Sequence, residues 1–370
     1  MSDLYIGLMS GTSADGIDAA LVDFSNDQTK LLTTSYMPYS ADLRNKILAL
    51  CQQGENEIKR LGELDILLGN AFADAVNGLL TQNSLSSSAI KAIGSHGQTI
   101  RHYPRDHHPF TLQIGDPNTI AAKTNITTIA DFRGKDIALG GQGAPLVPAF
   151  HQYLFASTQT DRAIVNIGGI ANITLLSAKN PELVIGFDTG PGNVLMDAWI
   201  FMQQKKLHDE NGNWAQSGTS QQTLLNNMLD DTYFKLATPK STGREYFNLS
   251  WLQNYLANMN EQIATEDVQA TLADLTAQSI LNDVKKYFTQ GELFICGGGA
   301  NNQYLMQRLQ LFAESNFHVY STEQQGIHPD WVEAIAFAWL AKQTLNRKPS
   351  NLPSVTGAKM ASILGGIYYN

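Results

Sequence analysis

The sequence predicts an α/β protein of two domains, and three observations predict it. The chain has 370 residues, and at roughly 100–200 residues per domain that length suits two domains with sizeable cores. Short apolar runs alternate with helical patterns along it. A strand, a glycine-rich turn and a returning strand near the start recur about 160 residues later, which points to an internal duplication with a cleft between the halves.

In the first half, Tyr5–Met9 reads as a strand, Ser10–Gly16 as a loop and Ile17–Phe24 as the returning strand. Residues 42–52 and 57–80 read as helices, with Leu61, Leu64, Leu68, Phe72 and Val76 spaced by three and four. Ile90–Ile93 reads as a short strand. In the second half, Ala163–Ile167 is a strand, Gly168–Ala171 a turn and Asn172–Leu176 a returning strand. Leu183–Phe187 is a strand ended by Asp188 and the turn Thr189–Gly192, and a helix follows over Asn193–Gln203. Residues 205–222 are polar and read as surface loop. Glu266–Phe288 is a long helix, Glu292–Cys296 a strand and Gly297–Ala300 a turn, with a helix starting near Asn301. Asp330–Gln343 is an apolar helix, Arg347–Pro353 reads as a crossing linker, and Ile363–Tyr369 as a strand returning to the first domain. The expected domains are therefore 1–130 with about 347–370, and 131–346.

Composition excludes several classes. Apolar residues make up 43% and charged residues 16%, against about 25% charged in an average soluble protein, so the chain is not disordered. The net charge is −9 and no basic run of five exists, which argues against a nucleic-acid partner. A small anion is still acceptable, because backbone amides can hold one. Cys51 and Cys296 are too few for a disulfide framework. The first residues lack a basic region and an apolar core, and no run reaches the roughly 18 apolar residues of a membrane span, so no membrane partner and a cytoplasmic location are expected.

Three glycine turns, around Gly11, Gly168 and Gly298, each follow a strand. Without side chains, their amides can crowd around phosphate oxygens, and Thr12, Ser13 and Thr174 can add hydroxyl donors. No GxxxxGK[ST] element, no GxGxxG at a strand–helix junction and no kinase HRD or DFG tripeptide is present. Asp188, at the end of an apolar strand before a glycine turn, is the candidate general base. Glu333 sits among apolar residues, and on its own surroundings it reads as a solvent-face carboxylate. Gly94–His102 reads as a ligand-reading loop for a hydroxyl-rich molecule, with His96, Gln98 and Thr99 as contacts. Zinc at His96, His102, His107 and His108 is disfavoured, since neither HExxH nor paired CxxC occurs. Arg133 either clamps a substrate carboxylate or pairs with Asp131 or Asp136, and Gly140–Pro145 reads as a hinge or contact loop.

Six runs carry a family resemblance: Met9–Asp18, Ser95–Thr99, Ala130–Arg133, Gly140–Pro148, Asn166–Asn172 and Gly186–Asn193. Over essentially its whole length the sequence resembles the anhydro-N-acetylmuramic acid kinases of bacterial cell-wall recycling. The resemblance implies the two-domain actin-like ATPase fold, a duplicated ribonuclease-H-like arrangement shared with hexokinase and heat-shock chaperones. It implies a reaction in which ATP, water and 1,6-anhydro-N-acetylmuramic acid give N-acetylmuramic acid 6-phosphate and ADP. Carried onto this sequence, it makes Gly11, Thr12, Ser13, Ala14, Asp15, Gly16, Ile17 and Asp18 the first phosphate loop. Asn166, Gly168 and Gly169 become the second phosphate turn, and Gly297, Gly298 and Gly299 lie by the adenosine. Asp188 is then the base and Glu333 a site carboxylate, with His96, Gln98, Thr99 and Arg133 on the sugar.

Where the wider superfamily carries an Asp before its glycines, this sequence has Met9 and Asn166. Mg²⁺ is the implied cofactor, with its ligands left open among Asp15, Asp18 and water. A homodimer is the implied assembly. The alternatives are an ordinary sugar kinase of the same fold acting on a free hydroxyl, and a glycosidase using Asp188 with Glu333 and no ATP.

Overall fold

The computed structural model describes residues 3–370; Met1 and Ser2, the first two residues of the stretch read as leaderless, lie outside the described residues. The strands in the first half are β1 (Leu4–Ser10), β2 (Gly16–Asp23), β3 (Lys30–Pro38), β4 (Ile90–Tyr103), β5 (Phe110–Ile114) and β6 (Thr128–Ala130). Then come β7 (Arg162–Ile167), β8 (Ile170–Leu176), β9 (Val184–Pro191), β10 (Gly291–Cys296), β11 (Phe317–Ser321) and β12 (Gly366–Tyr368). The chain divides into two compact units, one ending at Phe150 and resumed over Trp331–Asn370, the other His151–Asp330.

The first unit holds a seven-stranded sheet in the order β12-β6-β4-β1-β2-β3, with β5 paired to β4. One face is covered by the helix Glu57–Gln82, whose Leu64, Leu68, Phe72, Val76 and Leu79 are buried at the predicted spacing. Each such side chain contributes about 1.5–3 kcal/mol on leaving water. The helix Val332–Leu345 packs on β1 and β4. It does so without a layer of side chains between. A Cβ on Gly7 would lie 1.8 Å from the carbonyl oxygen of Ala334, and one on Gly94 would lie 2.0 Å from that of Phe337.

The second unit holds a five-stranded sheet in the order β11-β10-β7-β8-β9. Its core is built on the helix Thr265–Lys285, which buries Val268, Leu272, Leu275, Ile280, Leu281 and Val284. The two sheets share one topology. Read from the third strand, the first unit runs β3-β2-β1-β4-β6 and the second β9-β8-β7-β10-β11. In both, the first three strands are antiparallel and the last two run parallel to the first. The strand, glycine turn and returning strand open both units.

Several expectations need correction. Residues 131–150 and 331–346 belong with the first unit, because the apolar Val332–Leu345 helix is seated on Gly7 and Gly94. Arg347–Pro353 accordingly stays within that unit and does not cross between units. Gly94–His102 is not a loop: it lies inside the fourteen-residue β4, where residues 94–98 are all buried. β9 continues through Asp188 to Pro191, so Asp188 stands within a strand and pairs with Asn172. Residues 205–222 include a short helix, Asn213–Ser217, held by the Asp209 carboxylate on the N–H groups of Trp214 and Ala215.

Candidate active site

In the first unit, the β1–β2 turn is fixed from beneath. Ala14 adopts φ +50° and its N–H closes on the carbonyl of Gly11 at 3.2 Å. Ser13 donates to the Asp15 carboxylate at 2.8 Å. Ser10, buried below the turn, accepts from the Tyr39 hydroxyl at 2.9 Å. Its own hydroxyl faces Oε1 of Gln98 at 2.7 Å and the carbonyl of Gly16 at 2.9 Å. Gln98 completes the link by donating Nε2 to the carbonyl of Gly11 at 3.1 Å. Gln98, expected on the sugar, thus braces the glycine hairpin. Thr12 and Asp15 are exposed, Gly11, Ser13 and Asp18 half-buried, and Gly16 and Ile17 buried.

The same unit gathers His96, Arg133 and Glu333. Arg133 donates Nε and Nη2 to Nε2 of His96 at 3.2 and 2.9 Å, and Nη1 to the carbonyl of Gly143 at 2.7 Å. Three of the five N–H donors of Arg133 thus go to these groups, and it makes no close pair with Asp131 or Asp136. Burial and the Arg133 charge hold the His96 pKa down to about 3, so the ring is neutral and accepts through a bare Nε2. Burial lowers the Arg133 pKa to about 10, opposed by the charges of Glu333 and Asp136. Glu333, in the first turn of its helix, is half-buried and does not lie on an open solvent face. Burial raises its pKa and the Arg133 charge works against the rise. Buried Asp136 accepts from the N–H of Gly143 (2.8 Å), Asn351 (2.7 Å) and Thr356 (2.8 Å), so the Gly140–Pro145 loop is tied to the chain's last segment. Thr99 accepts from Gln113 at 3.2 Å.

Beside His96, β4 has left β6 after Gly94 and does not pair with β5 until Gln98. A cavity of ≈ 220 Å³ opens in that gap, lined by Ser95, His96, Thr111, Gln113, Asp131 and Tyr368 among others.

In the second unit, the expected glycine turns around Gly168 and Gly298 meet the turn that ends in Gly192. The N–H groups of Gly192 and Val194 bond the carbonyl of Gly169 at 2.9 and 3.0 Å, and that of Asn193 bonds Gly168 at 2.8 Å. Gly192 permits this contact, since its Cβ would lie 2.3 Å from the Gly168 oxygen. A Cβ on Gly297 would lie 2.3 Å from Oδ1 of Asn166, and one on Gly299 2.4 Å from Ile167. Gly298 faces Asn193, whose amide nitrogen donates to the carbonyl of Ile167 at 3.2 Å.

Asp188 shares this framework. Its Oδ2 accepts from the N–H of Thr242 at 3.0 Å, and Ser241 adds a side-chain hydrogen bond. Its main chain is pinned on both sides, by donation to the Lys240 carbonyl at 3.0 Å and acceptance from the Tyr233 hydroxyl at 2.7 Å. Burial raises the Asp188 pKa, and the Thr242 N–H opposes that rise. Lys240 is itself buried, 3.0 Å from the Asp283 carboxylate and over the ring of Tyr233. Removing one partner of such a pair typically costs 3–5 kcal/mol.

The sequence did not single out Lys240 and Thr242, whose main chain holds Asp188. No side-chain signal marks them, because both hold Asp188 through main-chain groups. Among the described residues, no group of three or more His, Cys, Asp or Glu is placed to hold a metal ion.

Fold and site together define a two-unit α/β protein with a glycine hairpin at the head of each unit and a carboxylate fixed beside the second. The sequence profile of the anhydro-N-acetylmuramic acid kinase family matches residues 3–370, and the chain belongs to that family. It is 53% identical over 367 residues to the anhydro-N-acetylmuramic acid kinase of Coxiella burnetii (strain Dugway 5J108-111), covering 99% of this chain and 97% of that one. It is 54% identical over 362 residues to that of Shewanella sp. (strain ANA-3), covering 98% and 97%. Among solved structures, the activator of the 2-hydroxyisocaproyl-CoA dehydratase from Clostridium difficile is similar with a TM-score of 0.47 and 13% identity, over 94% of this chain and 97% of that one.

Proposed function

We propose that this chain is an ATP-dependent kinase that opens 1,6-anhydro-N-acetylmuramic acid with water and phosphorylates O6, giving N-acetylmuramic acid 6-phosphate in peptidoglycan recycling. Family membership supports the activity. The observation that carries the mechanism is the placement of Asp188, held by Thr242 on the strand whose turn is bonded to Gly168 and Gly169. Base and phosphate turn thus belong to one hydrogen-bonded framework.

In the reaction, the bridging oxygen of the sugar joins C1 to C6 and masks the C6 hydroxyl. Asp188 takes a proton from water as the water oxygen bonds to C1, and the C1–O bond breaks. The freed O6 takes the γ-phosphoryl group, whose bond to the ADP oxygen breaks. Ring opening supplies the nucleophile, and phosphoryl capture spares the alkoxide a proton. Glu333 serves as a second carboxylate, and His96 and Arg133 hold the sugar. The cavity between β5 and β6 offers hydroxyl and amide groups to its neutral substituents.

The turns Gly11–Asp18 and Asn166–Gly169 hold the phosphates, with Gly297–Gly299 by the adenosine. Mg²⁺ keeps several waters and takes one or two carboxylates plus substrate phosphates. Asp15 and Asp18 fit that demand, one exposed and one half-buried on the first hairpin. The ion would neutralise phosphate charge. The shared strand order supports the duplicated actin-like fold, and the family resemblance supports a cytoplasmic homodimer.

The deciding experiment uses the protein with Mg·ATP and the anhydro-sugar in heavy-oxygen water, with mass analysis of the product. Label at C1 and phosphate at O6 are expected. Phosphate without label at C1 indicates an ordinary sugar kinase, and ring opening without ATP a glycosidase.

A further inference from the structure

The glycine turns that would hold the nucleotide carry no positive charge of their own: neither Gly11–Asp18 nor Asn166–Asn172 contains a lysine or arginine. Charge on the equatorial oxygens of a transferring phosphoryl group is nevertheless what such sites must stabilise. In the second unit one cation lies on the turn itself. A Cβ built on Gly169 would meet Nη2 of Arg244 at 3.4 Å and its Nε at 3.6 Å, so the guanidinium rests on the face that glycine leaves bare. Arg244 is exposed, and its guanidinium forms no hydrogen bond or ion pair with the described residues. Its charge reaches Asp197 in the first turn of the helix Val194–Gln204, which starts on the Gly169 carbonyl.

The main chain beneath Arg244 is fixed at both ends. On one side, Thr242 is bonded to the Asp188 carboxylate at 3.0 Å. On the other, the Gly243 carbonyl accepts from the N–H groups of Tyr246 and Phe247, both at 3.1 Å, and the Phe247 ring is fully buried. A five-residue stretch, Lys240–Arg244, therefore has its anchor in the core, its middle on Asp188 and its far end over the phosphate turn.

We propose that Arg244 is a catalytic residue that binds the γ-phosphate of the nucleoside triphosphate at the Gly168–Gly169 turn, and that the Lys240–Arg244 stretch couples this contact to Asp188. The proposal rests on the kinase reading above. The guanidinium forms no covalent bond; its planar fork donates hydrogen bonds to phosphate oxygens as negative charge builds on them.

The test uses the full chain as wild type, Arg244→Ala and Arg244→Lys. Wild-type turnover of ATP with the anhydro-sugar is measured first, and its absence would count against the kinase reading alone. Binding of ADP and of a non-hydrolysable ATP analogue is then measured by calorimetry for each protein, which needs no turnover. Arg244→Ala should lose at least about 10²-fold in kcat and most of its preference for the triphosphate over ADP, with unchanged ADP binding and melting temperature. Arg244→Lys should recover part of both. An alanine variant with wild-type kcat and undiminished preference for the triphosphate would overturn the proposal, as would equal loss of ADP and triphosphate binding.

Discussion

Gly7 of β1 and Gly94 of β4 are direct cross-strand partners, and both face the helix that carries Glu333. Replacing a strand glycine by alanine usually helps by roughly 0.5–1 kcal/mol. Here the added carbon would fall within 1.8–2.0 Å of a main-chain oxygen, so the sign reverses. Gly94→Ala should destabilise the protein by about 1–3 kcal/mol or more, read as a lower urea midpoint at unchanged m-value. Turnover should fall as well, because the helix must lift and Glu333 with it. Unchanged stability would refute direct backbone packing.

As the proposed base, Asp188 must be deprotonated to act, and burial places its pKa above the ordinary 3.8. Wild-type kcat should therefore fall as pH drops through a value above 3.8. Asp188→Asn should cut kcat by ~10²–10⁴-fold while leaving ATP binding intact. An unaltered kcat in that variant would remove Asp188 from the mechanism.

The charge of Arg133 lowers the pKa of Glu333, which burial raises. Arg133→Met removes the opposing effect, so Glu333 stays protonated to higher pH and the acid limb of kcat/KM moves upward. The same change strands the Gly143 carbonyl and Nε2 of His96, at about 1–3 kcal/mol each if water does not reach them. A pH–rate profile that keeps its acid limb in Arg133→Met would contradict the electrostatic link.

Asp197 has a pKa raised to about 6 by burial, despite the charges of His208 and Arg244, with Asp209 reinforcing the rise. Because the folded state holds this proton more tightly than the unfolded one, Asp197 costs nothing below pH 3.8. It costs progressively more up to pH 6 and its full ~3 kcal/mol above that. Asp197→Asn should therefore melt higher than wild type well above pH 6, and gain nothing below pH 3.8. A gain of equal size at both pH values would point to packing and not to ionisation.

The hairpins, the long helices and the returning strand near Ile367 were legible because periodicity and glycine placement are local signals. Only the first four residues of β4, Ile90–Ile93, were legible; the rest was not, since His96 and Gln98 are polar and only tertiary bonds to Arg133, Ser10 and Gly11 make them fit a buried strand. The carboxylates Asp188 and Glu333 could be singled out, yet the groups that hold Asp188 could not. Thr242 acts through a main-chain N–H and Lys240 through a carbonyl, and neither contribution depends on side-chain identity. The domain boundary failed for a similar reason: the Val332–Leu345 helix is apolar nearly all round, so its sequence does not say which sheet it covers.

The first unit is interrupted in sequence while the second is continuous. During synthesis residues 151–330 can all have emerged while the seat on Gly7 and Gly94 is still empty, and the Asp136 carboxylate waits longer, for Asn351 and Thr356. The middle of the polypeptide is thus the part able to complete its own core first during synthesis, while the segment up to Phe150 gains its full packing only once Trp331–Asn370 has followed.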